Sequence, residues 1–135
     1  MTLENKTITK GFILAGIMNL TVLVFSRFFT NTTIPATDPD VASNFGLLMI
    51  VVWGLAYIAV AKKSNHVKWL VAVFAVEKLI YGCVWLNWIL NNNVSTVFEN
   101  DAMAGIFFSI YGVNDWIFCV FFLIVFKSLF ESKNN

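Results

Sequence analysis

The sequence predicts an all-α integral membrane protein, a bundle of four membrane-spanning helices, on three observations. Of its 135 residues 59% are hydrophobic and only 13% are charged, whereas soluble globular domains average about 45–50% apolar residues. Long apolar stretches alternate with short polar segments. The basic residues are concentrated in every second polar segment. A water-soluble monomer is excluded by this composition.

Four apolar stretches are the candidate spans, at residues 11–29, 45–61, 67–90 and 102–126. Each is long enough, at about 1.5 Å per residue, to cross a hydrocarbon core of roughly 30 Å. Pro35 and Pro39 both lie in the polar segment after the first stretch, so the broken helices of many secondary transporters are not indicated. The first stretch is longer than the apolar part of a signal peptide and is kept as a span. We expect one domain, residues 1–135.

The lysines predict an up-down-up-down topology with both termini in the cytoplasm. Lys6 and Lys10 precede the first stretch, and Lys127 and Lys133 follow the fourth. The connection between the second and third stretches contains Lys62, Lys63 and Lys68. The other two connections carry Asp38, Asp40, Glu99 and Asp101 instead. Because Lys and Arg are retained on the cytoplasmic side, every connection favours the same orientation. We expect a multi-pass protein of the plasma or inner membrane.

Several classes of function lack the residues that they need. Cys83 and Cys119 have no CxxC spacing, and the single histidine, His66, lies among lysines in a polar segment. We therefore expect no metal and no cofactor. No basic run exists that could follow a phosphate backbone, so a nucleic-acid partner is not expected. No nucleophile with a paired base is recognisable, so the sequence favours a non-enzyme and assigns no catalytic residue.

Five polar side chains are predicted to meet at the middle of the membrane. They are Asn19 in the first stretch, Glu77 and Lys78 in the third, and Asn114 and Asp115 in the fourth. Counts of helical rise from opposite ends of the third and fourth stretches place them at one level. A charge at that depth costs at least about 2.5–3.5 kcal/mol, so such groups face the protein interior and find partners. These five are the candidate ligand-binding or ion-binding residues.

Helix geometry limits how the charges can pair. Glu77 and Lys78 are about 100° apart around their helix and do not face each other. We predict that Lys78 pairs with Asp115. Glu77 is then left over, either bonded to Asn19 or Asn114, or neutral because burial disfavours its charged form. A left-over carboxyl is suited to binding a proton or a cation, although the same groups could simply fix how the helices pack.

An aromatic stripe runs through the same level of the third stretch. Its members are Phe74, Tyr81, Trp85 and Trp88, with Lys78 between the first two. The five residues are spaced four or three positions apart, which places them on one face of a helix. The functional interpretation is an aromatic-walled cavity for an amphipathic or cationic solute, completed by Tyr111 of the fourth stretch. Tyr81 and Trp85 would shelter the ammonium of Lys78 by cation–π contact. The alternative is an ordinary packing or lipid-facing surface.

Three functions stay open on these observations. The first is a small carrier or channel, built from several copies, in which Glu77 responds to protons or cations and Lys78 with Asp115 forms a gating pair. The second is a non-catalytic membrane subunit or assembly protein. The third is a membrane-embedded enzyme acting on a lipid-like substrate, with Glu77 or Asp115 as general acid or base. The expected partners are the lipid bilayer, further copies or another membrane protein, and a small solute or lipid-like ligand.

Overall fold

The computed structural model describes residues 3–132, and within them it contains helices and turns but no strand. The helices in chain order are α1 (Asn5–Leu20), α2 (Val22–Phe25), α3 (Thr33–Thr37), α4 (Asn44–Val60), α5 (Lys68–Asn91), α6 (Val94–Asn100) and α7 (Ala102–Glu131). A short 3₁₀ turn at Ser64–His66 precedes α5. The predicted all-α class is confirmed. Lys133, one of the lysines behind the predicted orientation, lies outside the described residues.

Three helical segments of the described chain are long and apolar enough to cross a membrane. They are Asn5–Phe25, which joins α1 to α2, and the whole of α5 and of α7. Helix α4 is also apolar but has 17 residues, which corresponds to a length of about 26 Å. These lengths and compositions fit a helical bundle in a membrane.

The helix ends differ from the apolar stretches that predicted them. Helix α1 begins at Asn5, and α7 continues to Glu131, because polar residues such as lysine extend a helix readily although they end an apolar stretch. The first membrane helix stops at Phe25, since the residues at 27–29 have φ values of 49°, 52° and 66°, in the left-handed region. The segment at 30–44, predicted as a loop, contains the single helical turn α3, whose Ile34 is buried.

The long helices associate mainly as two pairs, α1 with α4 and α5 with α7. In the first pair, glycines let the two backbones come close. A Cβ atom on Gly54 of α4 would lie 2.8 Å from the Cβ of Asn19 and 2.9 Å from the carbonyl oxygen of Gly16. Close approach through small residues is a common mode of helix packing in membranes. This contact fixes Asn19, and with it one side of the polar layer.

In the second pair, a glycine on each helix leaves space for a tryptophan ring of the other helix. The ring of Trp116 on α7 covers Gly82 of α5, and the ring of Trp85 on α5 covers Gly112 of α7. Both indole N–H groups donate to backbone carbonyls of the facing helix, Trp116 to Gly82 at 3.2 Å and Trp85 to Phe108 at 2.7 Å. The reciprocal exchange of rings holds α5 against α7 on the side of the polar layer that faces α3 and α6.

Two apolar clusters lie above and below the polar layer. We call one the terminal cluster, because it lies where α1 begins and α7 ends; its buried aromatic members are Phe12, Tyr57, Phe74, Phe118 and Phe122. We call the other the loop cluster, because it lies beside α3 and α6; its larger members are Ile34, Leu47, Trp88, Phe107 and Phe108. The polar layer is therefore enclosed at both ends by packed hydrophobic side chains.

Replacing Gly54 with valine should separate α1 from α4. The new side chain has no space beside Asn19 and Gly16, and overpacking of this kind costs about 1–3 kcal/mol. We expect Gly54→Val to lower the thermal unfolding midpoint of the purified protein in mild detergent. Leu55→Val is the control, because Leu55 is the next residue of α4 and is 53% exposed. Equal midpoints for the two variants would contradict the close contact.

Candidate functional site

The centre of the site is an ion pair between the two helices of the second pair. The ammonium Nζ of Lys78 on α5 lies 2.7 Å from Oδ1 of Asp115 on α7. Lys78 is 1% exposed and Asp115 is 6% exposed. The predicted pairing of Lys78 with Asp115 is confirmed. A charged donor and a charged acceptor at this distance form one of the stronger kinds of hydrogen bond.

The remaining partners of Lys78 come from the first helix pair. Oδ1 of Asn19 on α1 accepts a hydrogen bond from Nζ at 2.9 Å, and Nζ lies 5.3 Å from the centre of the Tyr57 ring on α4. The amide of Asn19 donates in turn to the carbonyl of Ile50 at 3.0 Å, which fixes its orientation. The ring that faces the ammonium is thus Tyr57, and not Tyr81 or Trp85 as the stripe predicted.

Glu77 is buried and accepts a hydrogen bond from the hydroxyl of Tyr57. The predicted partners were Asn19 and Asn114, but Asn19 bonds Lys78 instead. Tyr57 was not predicted to belong to the site, because it lies only one turn from the end of α4. Its long side chain brings the hydroxyl to a level that its backbone does not reach. One feature of the sequence does single out Tyr57, since it is the only hydroxyl-bearing residue between 45 and 61.

A cavity of about 40 Å³ adjoins the polar layer, with room for about three water molecules at roughly 10–15 Å³ each. All five of the predicted ligand-binding or ion-binding residues line it: Asn19, Glu77, Lys78, Asn114 and Asp115. Within residues 3–132, no donor bonds the second carboxylate oxygen of Glu77. Three helices, α1, α5 and α7, therefore bring these five polar residues around one small cavity.

Only part of the predicted aromatic wall borders this space. Tyr81 and Tyr111 line the cavity. Phe74 lies instead in the terminal cluster, 4.9 Å from the ring of Tyr57. Trp85 covers Gly112, and Trp88 stacks on Phe108 at 4.5 Å. For Phe74, Trp85 and Trp88 the packing interpretation of the stripe applies, because glycines and phenylalanines on neighbouring helices offered these rings closer contacts than the cavity does.

The cavity extends from the polar layer in one direction. Beyond the layer it is bordered by Val22 and Phe25 of α2 and by Phe107, Ile110 and Tyr111 of α7, which lie towards α3 and α6. Among the described residues, no buried member of the terminal cluster lines it. The terminal cluster thus closes the polar layer on one side. On the other side, towards the loop cluster, the layer borders the cavity.

The charges of the layer do not balance. Two carboxyl groups, Glu77 and Asp115, face a single ammonium, Lys78, so full ionisation leaves one negative charge in the interior. A buried charge without compensation is strongly disfavoured. One proton or one monovalent cation at Glu77 would neutralise the layer. Within residues 3–132 there is no cluster of three or more His, Cys, Asp or Glu side chains that could hold a metal ion.

Comparison with known proteins gave no relationship on which a function could be based. No protein-family model, no curated protein and no solved structure matches this chain.

Removing the ammonium should destabilise the fold more than removing the whole ion pair. Lys78→Met leaves Asp115 and Glu77 buried without a counter-charge, and breaking a buried pair in this way costs about 3–5 kcal/mol. In Lys78→Met/Asp115→Leu only the Glu77 carboxyl of the polar layer remains, so we expect a smaller loss than in Lys78→Met alone and a smaller loss than the sum of the two single variants. Unfolding midpoints in mild detergent measure both effects.

A matched control is the exposed pair on α7, in which Nζ of Lys127 lies 3.9 Å from Oε1 of Glu131. Because exposed ion pairs contribute little, Lys127→Met should leave the midpoint unchanged. Strict additivity of the Lys78 and Asp115 variants would show that the two side chains do not stabilise each other.

Proposed function

We propose that this protein is a proton-responsive or cation-responsive carrier or channel, in which Glu77 binds and releases the proton or cation. One observation carries the proposal: a carboxyl group in excess of its counter-charge borders a water-sized cavity in the middle of an apolar bundle. An ionisable residue inside a membrane helix is a functional candidate by default. Lys78 and Asp115 act as the gating pair, since their hydrogen bond is next to the group whose charge changes.

We further propose that α4 is a fourth span, which gives an up-down-up-down bundle with both termini in the cytoplasm. The distribution of lysines supports this orientation. The packing also supports it, because Leu3 at the beginning of the described chain packs against the same cluster that contains Leu129 near its end. A span as short as α4 can be accommodated by local thinning of the bilayer. A plasma or inner membrane is the proposed location.

The dimensions of the cavity favour a proton or small cation over a lipid-like substrate. Pockets for organic ligands usually measure about 300–1,000 Å³, and the cavity beside Glu77 has about 40 Å³. A larger groove of about 270 Å³ is bordered by Trp53 of α4 and by α5 residues that include Glu77 and Tyr81. Among the described residues that border it, Glu77 has no nucleophile beside it, so the enzyme hypothesis is less well supported.

The division into helix pairs suggests how binding could be coupled to movement. Asn19 and Tyr57 belong to the first pair, whereas Glu77, Lys78 and Asp115 belong to the second. A proton or cation on Glu77 changes the charge balance across the boundary between the pairs, and a ligand shifts a conformational equilibrium when it binds one state better than the other. Since one bundle has little room for an aqueous path, we also propose that several copies assemble.

Glu77→Gln should abolish proton exchange by the polar layer, because the amide is close to isosteric but does not titrate. Purified protein in liposomes that contain a pH-sensitive dye would be exposed to a proton gradient. We expect wild-type protein to pass or take up protons and Glu77→Gln to behave like protein-free liposomes. Infrared difference spectra between acidic and alkaline pH should show a buried carboxyl band in wild-type protein that the variant lacks.

The matched control is Glu99→Gln, which makes the same chemical change at an exposed position of α6. This variant should retain the wild-type flux and the carboxyl band. If Glu77→Gln retained both signals, Glu77 would not be the responsive group. If Glu77→Gln reduced only the yield of folded protein or of a complex with another membrane protein, the subunit hypothesis would replace the transport hypothesis.

A further inference from the structure

The hydroxyl of Tyr111 is buried and has no hydrogen-bond partner within residues 3–132. Leaving a buried hydroxyl unsatisfied is unfavourable, so groups of this kind generally bond protein or ordered water. Tyr111 borders the cavity beside the polar layer, which has space for water and polar walls to hold it. Water in the cavity is therefore the partner that this hydroxyl requires.

The position of Tyr111 places such water between it and the carboxyl groups. Tyr111 precedes Asp115 by one helical turn on α7, about 6 Å along the axis towards α3 and α6. Both residues border the same cavity, as does Glu77. Oε1 of Glu77, which has no donor among the described residues, provides the acceptor at the other end.

The ring of Tyr111 is held in place by its neighbours. It stacks on Phe107 with 5.0 Å between ring centres and an angle of 25°. Phe108 and Trp85 meet it edge-on, at 6.1 Å and 6.4 Å. A ring fixed on three sides presents its hydroxyl at one position, which is what an efficient proton relay needs.

From this arrangement we propose that Tyr111 relays protons between Glu77 and the α3 and α6 end of the bundle, a proposal that rests on Glu77 being the proton-binding group. An incoming proton forms a new O–H bond on the Tyr111 oxygen as the phenolic proton passes to a cavity water. That water passes one of its protons to the Glu77 carboxylate. Tyrosine and water end neutral, as they began, and Glu77 ends as the carboxylic acid.

Other titratable groups surround the proposed relay. Among the described residues, those near Glu77 are Tyr57 from α4, Lys78 and Tyr81 from α5, and Asp115 and Cys119 from α7. From α1, the uncharged Asn19 reaches the layer. Asp38, buried in the segment before α4, is close enough to Tyr111 to act on it electrostatically.

The test measures how fast the polar layer takes up protons. Tyr111→Phe keeps the ring and its stacking but removes the hydroxyl. After a rapid pH change on liposomes containing the purified protein, we expect proton uptake in this variant to slow by about tenfold or more, because a positioned proton donor typically contributes at least that factor. The number of protons bound at equilibrium should stay at the wild-type value, since Glu77 is unchanged.

Ser109→Ala is the control, because it removes a hydroxyl from the same helix at a residue that does not border the cavity and whose hydroxyl donates to the carbonyl of Gly105 at 2.7 Å. It should take up protons at the wild-type rate. A wild-type rate in Tyr111→Phe, together with loss of uptake in Glu77→Gln, would overturn the relay and leave the proposed function standing. Uptake that Glu77→Gln does not change would overturn both.

A second measurement distinguishes loss of the relay from a folding defect in Tyr111→Phe. Fluorinated tyrosine introduced at position 111 keeps the ring and the hydroxyl but makes the hydroxyl more acidic. We expect the rate of uptake to change in that protein while the unfolding midpoint and the number of bound protons stay constant. A rate equal to that of the wild-type protein would count against Tyr111 as the relay.

Discussion

A buried ammonium group must be surrounded by acceptors, and the way in which Lys78 meets this requirement organises the rest of the molecule. Its carboxylate partner, Asp115, lies on the adjacent helix of its own pair. Its amide partner, Asn19, and the ring beside it, Tyr57, lie on the two helices of the other pair. One charge thus joins both helix pairs, and Glu77 is attached to the same set through the hydroxyl of Tyr57.

Packed apolar contacts and charged contacts both hold the helices together. Within the pairs, glycines permit close backbone contact or receive tryptophan rings, as Gly54 does for Gly16 and Gly82 does for Trp116. Between the pairs, the hydrogen bonds of Lys78 to Asn19 and of Tyr57 to Glu77 depend on charge. Packed apolar contacts are insensitive to pH and ions, whereas the contacts of Lys78 change when a neighbouring carboxyl gains or loses a proton. The boundary between the pairs is therefore where the proposed response would act.

The sequence could predict the helices and the central pairing because both follow from strong constraints. Lys78 and Asp115 had to find partners in an apolar interior, and their equal depth left few choices. Tyr57 could not be predicted by counting helical rise, because the length of its side chain, and not the level of its backbone, brings the hydroxyl to Glu77. The positions of Trp85 and Trp88 depended on which facing residues were small or flat, and a spacing pattern on one helix carries no information about the helix opposite.

The end of the bundle beside α3 and α6 favours a relay of protons over passage of a larger solute. Asp101 begins α7 by accepting hydrogen bonds from Met103 and Ala104 at 2.8 Å and 3.2 Å. Its other oxygen lies 3.2 Å from the amide of Asn31 and 3.4 Å from the guanidinium of Arg27. These contacts tie the first connection of the chain to the start of α7.

The same connection contains three consecutive residues with positive φ at 27–29, a conformation that costs roughly 1–2 kcal/mol for each residue other than glycine. Such a turn persists only where surrounding contacts determine it. Ser26 supplies one of them, since its hydroxyl accepts a hydrogen bond from the backbone of Phe29 at 3.1 Å. Because opening this end would break those contacts together, exchange across it is easiest for a proton, which needs only a chain of hydroxyl groups and water.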